Sequence, residues 1–167
     1  MRTLWLRDRA LDLDRVRLLG VLNLTPDSFS DGGRYLDPER ALERAREMVA
    51  EGADILDLGA ESTRPGAAPV PVEEEKRRLL PVLEAVLSLG VPVSVDTRKP
   101  EVAEEALKLG AHLLNDVTGL RDERMVALAA RHGVAAVVMH MPVPYPATMM
   151  APARYRHVVA EVKAFLE

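Results

Sequence analysis

Residues 92–115 read PVSVDTRKPEVAEEALKLGAHLLN, and this stretch decides the fold of the chain. A short apolar run ends at Asp96, and apolar residues at helical spacing then run from Pro100 to Leu109. Gly110 is suited to end that helix, after which a second apolar run ends at Asn115. Two apolar strands joined by a helix form a βαβ unit, so the stretch predicts neighbouring parallel strands.

The same order of helix, glycine, apolar strand and polar residue recurs along the chain. Strands are predicted at residues 18–22, 53–58, 92–95, 112–114 and 134–139. Helices, with their caps, are predicted at residues 37–52, 72–89, 100–109 and 122–132, and from near Pro152 to Glu167. A hairpin over residues 4–13, turning at Arg7 and Asp8, precedes them. Because the strands are apolar throughout, we expect each to be buried on both faces.

Local signals add detail to two of the helices. Asp37 followed by Pro38 is typical of an N-cap and a first helical position. Pro81 predicts a kink or an irregular first half in the second helix. The charged run at residues 73–76 predicts a helix face that is exposed to solvent.

Two α/β architectures are compatible with parallel βα units, a doubly wound sheet and a (β/α)8 TIM barrel. A doubly wound nucleotide fold usually carries a glycine-rich phosphate loop after its first strand, whereas a long polar loop follows the first strand here. Polar residues close the predicted strands: Asn23, Asp57, Asp96, Asn115 with Asp116, and His140. Barrel enzymes carry their chemistry at the C-terminal ends of their strands, so we predict a TIM barrel.

The chain is short for a complete barrel. A full barrel has eight strands and about 250 residues, whereas the sequence predicts only the N-terminal hairpin and the first five βα units. We therefore predict one domain over residues 1–167 that is incomplete at its C-terminus.

Composition limits the classes of function. The chain is 48% hydrophobic and 29% charged, with a formal net charge of −4 and no cysteine. An acidic balance without a basic stripe predicts no nucleic-acid partner, and no apolar run approaches the roughly 20 residues that span a bilayer. Without cysteine, disulfides, thiolate metal sites and cysteine nucleophiles are excluded. We expect a soluble cytoplasmic protein without a signal peptide or a membrane partner.

Side-chain amides are rare in this chain. Asn23 and Asn115 are the only two, since the sequence has no Gln, and each stands where an apolar run ends. Matching positions in a chain so poor in amides favour a shared functional role for both.

Two loops and three strand ends carry a resemblance to a known family. The loops read NLTPDSFSDGG at residues 23–33 and ESTRPG at residues 61–66, and the strand ends read SVDT at 94–97, ND at 115–116 and MHM at 139–141. Together and in this order, over residues 18–165, they resemble the dihydropteroate synthase family. That resemblance implies condensation of 6-hydroxymethyl-7,8-dihydropterin diphosphate with p-aminobenzoate, with Mg²⁺ as cofactor.

The resemblance also implies site residues. It assigns Asn23 to the metal and the diphosphate, Arg64 to the diphosphate, and Asp96 and Asn115 to the pterin. These four are the candidate catalytic residues. The candidate substrate-binding residues are Phe29, Thr63, Arg64, Pro65, Asp96, Asn115, Val117 and Met139.

Side-chain chemistry agrees with these roles. A buried carboxylate such as Asp96 accepts two N–H bonds from an amidine-like edge, and Asn115 can donate and accept beside it. Arg64 offers a planar fork for phosphate oxygens, and Asn23 offers a neutral oxygen to Mg²⁺. We expect Asp57 to orient a neighbouring group, and the four histidines show no spacing typical of a metal site.

Later family motifs, namely Asp-Pro-Gly, Ser-Arg-Lys and Arg-x-His, do not occur in this sequence. We therefore expect the 167-residue chain to be inactive alone. The family resemblance implies that a full-length protein is a homodimer. Two alternatives remain open, a corrinoid-linked methyltetrahydrofolate methyltransferase domain and a non-catalytic pterin-binding or assembly subunit. The sequence of the Pro- and Met-rich loop at residues 141–152 does not indicate a role for it.

Overall fold

The computed structural model describes residues 2–25, 37–62, 67–143 and 154–167. Its strands are β1 (Thr3–Leu6), β2 (Arg9–Asp12), β3 (Leu19–Asn23), β4 (Ile55–Gly59), β5 (Val93–Asp96), β6 (Leu113–Asp116) and β7 (Ala135–Val138). Its helices are α1 (Pro38–Ala50), α2 (Val72–Leu87), α3 (Pro100–Leu109), α4 (Glu123–His132) and α5 (Val158–Leu166). None of the helices in these ranges is long and apolar enough to cross a membrane.

Strand order distinguishes the two candidate architectures. Strands β3 to β7 form one parallel sheet in which every strand pairs with the next one along the chain. A doubly wound sheet reverses its strand order at a switch point, whereas a barrel adds each strand on the same side as the last. The sheet is therefore an arc of a (β/α)8 barrel, and the predicted fold class is confirmed.

The β1–β2 hairpin lies at the end of the sheet where its strands begin. Arg7, at the predicted turn, donates from Nη2 to the carbonyl oxygen of Leu107 over 2.8 Å, and Arg9 donates to the carbonyl oxygen of Gly90. Both carbonyls stand where a helix ends and the chain returns to start a strand. The hairpin therefore occupies the end of the sheet opposite to the strand C-termini.

The helices cover one face of the sheet. Leucine and valine side chains from that face pack on small and branched residues of the helices, and all of them are fully buried: Leu56, Leu58, Val95, Leu114, Ala41, Ala45, Leu79, Leu83, Val102 and Ala106. Burial of a Leu or Val side chain contributes roughly 1.5–3 kcal/mol, so this layer is the main stabilising element. Successive strand residues alternate between faces, and the other face forms the inside of the barrel arc.

Burial of every strand on both faces is a wrong expectation for the two outer strands. Strand β4 is buried along its whole length, but Leu19 and Val21 of β3 and Val137 and Val138 of β7 are exposed. Among the described residues, β3 and β7 each have one neighbouring strand, so one edge of each is open. Val137 and Val138 point to opposite faces, so β7 is exposed on both.

The exposed helix face predicted at residues 73–76 is also wrong at one position. Glu75 is fully buried. It accepts a hydrogen bond from Thr97 Oγ1 over 2.6 Å and forms an ion pair with Lys99. It precedes the buried Leu79 by one helical turn and therefore lies on the buried stripe of α2.

Helix signals were accurate at some ends and not at others. Asp37 caps α1 by accepting from the N–H of Glu39, as predicted, and α2 runs on as one helix that contains the exposed Pro81. The predicted start of the last helix, near Pro152, lies outside the described residues. Residues 154–157 are not helical, and the helix α5 begins at Val158, where Glu161 turns back to accept from the N–H groups of Arg156 and His157.

Candidate active site

One residue from each strand of the sheet meets at the C-terminal end of the barrel arc. Asn23, Gly59, Asp96, Asn115 and Val137 are aligned in register across β3 to β7, and we call these five residues the inner ring. Adjacent strands lie about 4.8 Å apart, so the ring brings three of the predicted polar residues within one small ligand's length. The observed strands β3, β4 and β5 each end one residue later than predicted, which places Asn23, Gly59 and Asp96 inside the ladder.

Gly59 contributes no side chain to this ring. A Cβ atom added to it would lie 3.4 Å from Asp96 Cβ and 3.5 Å from Asp96 Oδ2, so the side chain of Asp96 packs beside Gly59 where a larger residue on β4 would stand. On the other side of Gly59 in the ring lies the exposed Asn23.

The remaining predicted site residues fall in two groups. Val117 is buried just after β6, and Met139 lies just after β7, so both follow strands of the inner ring. Phe29, Thr63, Arg64 and Pro65 lie outside the described residues. Asp116, the neighbour of Asn115, points to a turn instead, where it accepts from Thr118 and from the N–H of Leu120.

Asp57 lies one layer below the inner ring, on the same face of β4 as Gly59. It is almost completely buried, and its Oδ2 accepts a hydrogen bond of 2.9 Å from Asn115 Nδ2. Its Oδ1 is buried and has no hydrogen-bond partner among the described residues, and the same holds for Oγ of Ser94, the residue in register with it on β5. The neighbouring group that the sequence predicted for Asp57 is therefore Asn115.

Burial and acidic neighbours raise the pKa of Asp96. Burial is the largest cause, and the negative charges of Asp57, Glu75, Asp116 and Glu61 add to it, together raising the pKa of Asp96 from 3.8 to about 7. A carboxyl group with such a pKa exchanges its proton close to neutral pH. A ligand that presents N–H donors stabilises its ionised form, so ligand binding and loss of that proton are coupled.

Buried and partly buried charged residues form a cluster between α2 and the ends of strands β4 and β5. Lys99 Nζ lies 2.7 Å from Glu61 Oε2 and also contacts Glu75, and Glu61 Oε1 accepts from the N–H of Val70 over 2.9 Å. We call Glu61, Glu75, Thr97 and Lys99 the charge cluster. Burial opposes the charge of Glu61, but Lys99, the Val70 N–H and Arg98 together hold its pKa below the usual value.

Sequence reasoning missed this cluster. The signal that could have found it is the spacing of Glu75 from Leu79, which places a carboxylate on the apolar stripe of α2 and requires a buried cation. Lys99, directly before the first helical residue Pro100, is the cation that the fold supplies.

A magnesium ion fits the donor set at the ring, although the described residues contain no group of three His, Asp or Glu side chains that could hold a metal. Mg²⁺ is usually bound through one or two protein oxygens, with water and substrate phosphates completing its shell. Asn23 ends β3 with an exposed side chain, so its amide oxygen is available for such a contact. The histidines have other contacts: His112 accepts from the N–H of Val93, and His140 stacks edge-on against Phe165.

Comparison with known proteins agrees with this geometry. The model of the family described as "Pterin binding enzyme" matches residues 19–167. A dihydropteroate synthase of Escherichia coli (strain K12) is 45% identical over 163 residues, covering 97% of this chain and 57% of the relative. The crystal structure of dihydropteroate synthase from Thermus thermophilus in complex with 4-aminobenzoate is 88% identical with a TM-score of 0.85.

That match covers 99% of this chain and 58% of the Thermus chain, and a second crystal structure from the same organism, in complex with 6HMPPP, matches with a TM-score of 0.83. The chain thus spans little more than half the length of these relatives. Since the family match extends over most of the chain, the resemblance found in the sequence is confirmed: the chain belongs to the pterin-binding enzyme family and is homologous to dihydropteroate synthases.

Proposed function

We propose that the protein carrying this chain is a transferase that condenses 6-hydroxymethyl-7,8-dihydropterin diphosphate with p-aminobenzoate, forming 7,8-dihydropteroate and diphosphate. The observation that carries the proposal is the inner ring, in which Asn23, Gly59, Asp96 and Asn115 stand in register. The named ligands of the Thermus structures, 4-aminobenzoate and 6HMPPP, support the same pair of substrates.

In the proposed complex the pterin lies beside Gly59 with its amidine-like edge toward Asp96 and Asn115. The ionised Asp96 accepts N–H bonds from the ring, and Asn115 binds beside it. Val117 and Met139 supply apolar contacts to the ring faces. As the family resemblance implies, we assign Phe29, Thr63 and Pro65 to binding of p-aminobenzoate.

In the reaction, the bond between the pterin methylene and the diphosphate oxygen breaks, and the arylamine nitrogen bonds to the methylene and loses a proton to water. An aromatic amine is a neutral nucleophile at pH 7, so the enzyme needs no nucleophile of its own. Arg64 pairs with the departing diphosphate, and Asn23 would provide an oxygen ligand to a Mg²⁺ ion bound there. When bound, Mg²⁺ supplies positive charge that neutralises the leaving group.

We further propose that residues 1–167 are part of a single barrel domain that continues beyond them, that the whole protein acts in the cytoplasm, and that it forms a homodimer. The open edges of β3 and β7 support this continuation. Edge strands with exposed Leu and Val side chains favour pairing with another strand.

The test of the proposed function is diphosphate release by the full-length protein in the presence of Mg²⁺. We expect release that depends on p-aminobenzoate and yields dihydropteroate in equal amount, and none from the 167-residue chain alone. Release without p-aminobenzoate incorporation contradicts the proposal. Methyl transfer from methyltetrahydrofolate to a cobalt carrier would support the methyltransferase alternative, and pterin binding without any turnover the assembly-subunit alternative.

Asn23→Ala tests the metal contact. We expect a lower turnover at saturating substrates, and a higher Mg²⁺ concentration for half-maximal rate, because one oxygen ligand is lost. Pterin binding measured without Mg²⁺ is expected to change little, since Asp96 and Asn115 remain. Unchanged kinetics at limiting Mg²⁺ would remove Asn23 from the proposed metal site.

A further inference from the structure

Asn115 has a side chain whose two ends are chemically opposite. Its Oδ1 accepts hydrogen bonds and its Nδ2 donates them, and an unconstrained amide can present either end to a ligand. A binding site that reads a fixed pattern of donors and acceptors therefore needs something to hold that amide in one orientation.

The structure contains a group with this property. Asp57 Oδ2 lies 2.9 Å from Asn115 Nδ2, and an ionised carboxylate can only accept hydrogen bonds. Asp57 is 2% exposed, so water does not compete effectively for the contact. If the amide rotated, Oδ1 of Asn115 would face a carboxylate oxygen, and two acceptors would be opposed in a buried place.

We propose that Asp57 is a positioning residue that fixes the amide of Asn115 with its Oδ1 available to the pterin. This inference rests on the proposed function and deepens it, because it specifies how the pterin site selects its ligand. With the amide held in this way, Asn115 Oδ1 and the carboxylate of Asp96 stand on neighbouring strands as two adjacent acceptors.

Two adjacent acceptors match a ligand edge that carries adjacent N–H donors. A 2-amino-4-oxopterin has such an edge, because its exocyclic amino group stands beside the N–H of ring nitrogen N3. A pteridine with oxygen in place of the 2-amino group presents a carbonyl to the same position, where it meets an acceptor. Asp57 therefore contributes to discrimination between 2-amino and 2-oxo rings, although it lies a layer below the ligand.

The pair Asp57→Ala and Asp57→Asn separates positioning from charge. Both remove the negative charge, but the Asn variant keeps an oxygen that can accept from Asn115 Nδ2. Binding of 6-hydroxymethyl-7,8-dihydropterin diphosphate to the full-length protein is measured by calorimetry. We expect Asp57→Ala to bind about tenfold more weakly and to lose preference for the 2-amino ring. Asp57→Asn should bind with an affinity between those of Asp57→Ala and wild type, because its amide can accept from Asn115 Nδ2 but can also turn its own NH₂ group toward Asn115.

Ser94→Ala is the matched control, since Ser94 is buried in the same layer and its hydroxyl has no hydrogen-bond partner in the part of the chain that the structure describes. It is expected to bind the pterin as the wild type does. The Michaelis constant for p-aminobenzoate should be unaffected in all three variants. Equal binding by Asp57→Ala and wild type overturns the inference, and so does equal weakening in the Ala and Asn variants, which indicates charge alone.

A second measurement needs no Asp57 variant and covers the case in which Asp57→Ala does not fold. The side-chain NH₂ signals of Asn115 and Asn23 are assigned in a ¹⁵N–¹H spectrum by their loss in Asn115→Ser and Asn23→Ser. We expect slow hydrogen exchange for Asn115 and fast exchange for the exposed Asn23. Fast exchange at both overturns the inference, and a wild-type protein that binds no pterin overturns the proposed function together with it.

Discussion

Replacing Asp96 with Asn is expected to weaken pterin binding and, at the same time, to stabilise the folded protein at pH 8. The binding loss should be roughly 2–3 kcal/mol, because a charged acceptor of ligand N–H groups becomes a neutral one. The gain in stability follows from the raised pKa of Asp96, which reflects an unfavourable environment for its charge.

The sign of the pH dependence follows from that pKa. Between pH 3.8 and about 7 the folded protein keeps a proton on Asp96 that the unfolded chain has lost. Stability therefore falls as the pH rises through this window, and the whole penalty is present above it. A shift of this size corresponds to about 4 kcal/mol as an order of magnitude.

Urea unfolding of the ligand-free protein at pH 5 and pH 8 measures the stability effect, and calorimetry measures the pterin affinity. The advantage of Asp96→Asn over wild type should be larger at pH 8. Asp122→Asn is the control, because Asp122 caps α4 and its contacts with Arg124 lower its pKa, so that variant gains no stability. Unchanged pterin affinity in Asp96→Asn would contradict its place in the pterin site.

Lys99→Met is expected to have the largest effect on stability. Lys99 is the cation of the charge cluster, and its loss leaves Glu75, which is fully buried, with only the hydroxyl of Thr97 as a partner among the contacts described above. Glu61 would keep the contact with Arg98 but lose its shorter one with Lys99. Removing one partner of a buried ion pair costs roughly 3–5 kcal/mol, since the remaining charge stays buried.

Denaturant unfolding of the full-length protein at pH 7 tests this expectation. Lys108→Met is the matched control, because Lys108 pairs with Glu104 and Glu105 on the exposed side of α3 and should change stability by less than about 1 kcal/mol. Adding Glu75→Gln to Lys99→Met should restore part of the loss. Equal effects of Lys99→Met and Lys108→Met would show that the charge cluster is not a buried structural element.

The fold was predicted mainly from the periodicity of apolar residues and from the residues that begin or end each helix and strand. Apolar runs, helical spacing and glycine ends predicted five parallel βα units, and the polar residue at the end of each run marked the edge where Asn23, Asp96 and Asn115 meet. These signals are local, because the pattern of one strand or helix records which of its sides is buried. The family resemblance rested on the same edge and on two loops.

Contacts between elements could not be read from the sequence in this way. The pairing of Asp57 with Asn115 joins residues that are 58 positions apart, and the pairing of Lys99 with Glu75 joins a strand–helix turn to a neighbouring helix. The charged run around Glu75 predicted an exposed helix face, because a charged side chain considered alone is costly to bury. A cation supplied by another element offsets that cost.

The sequence by itself determined the class of fold, the parallel order of strands and helices, and the edge that carries the polar residues, because each follows from short-range patterns of apolar and polar side chains. Only the tertiary structure decided the register that aligns Asn23, Gly59, Asp96 and Asn115 and the buried contacts behind them. Register depends on how helices and neighbouring strands pack together, and a shift of one residue would turn every side chain of a strand to the opposite face.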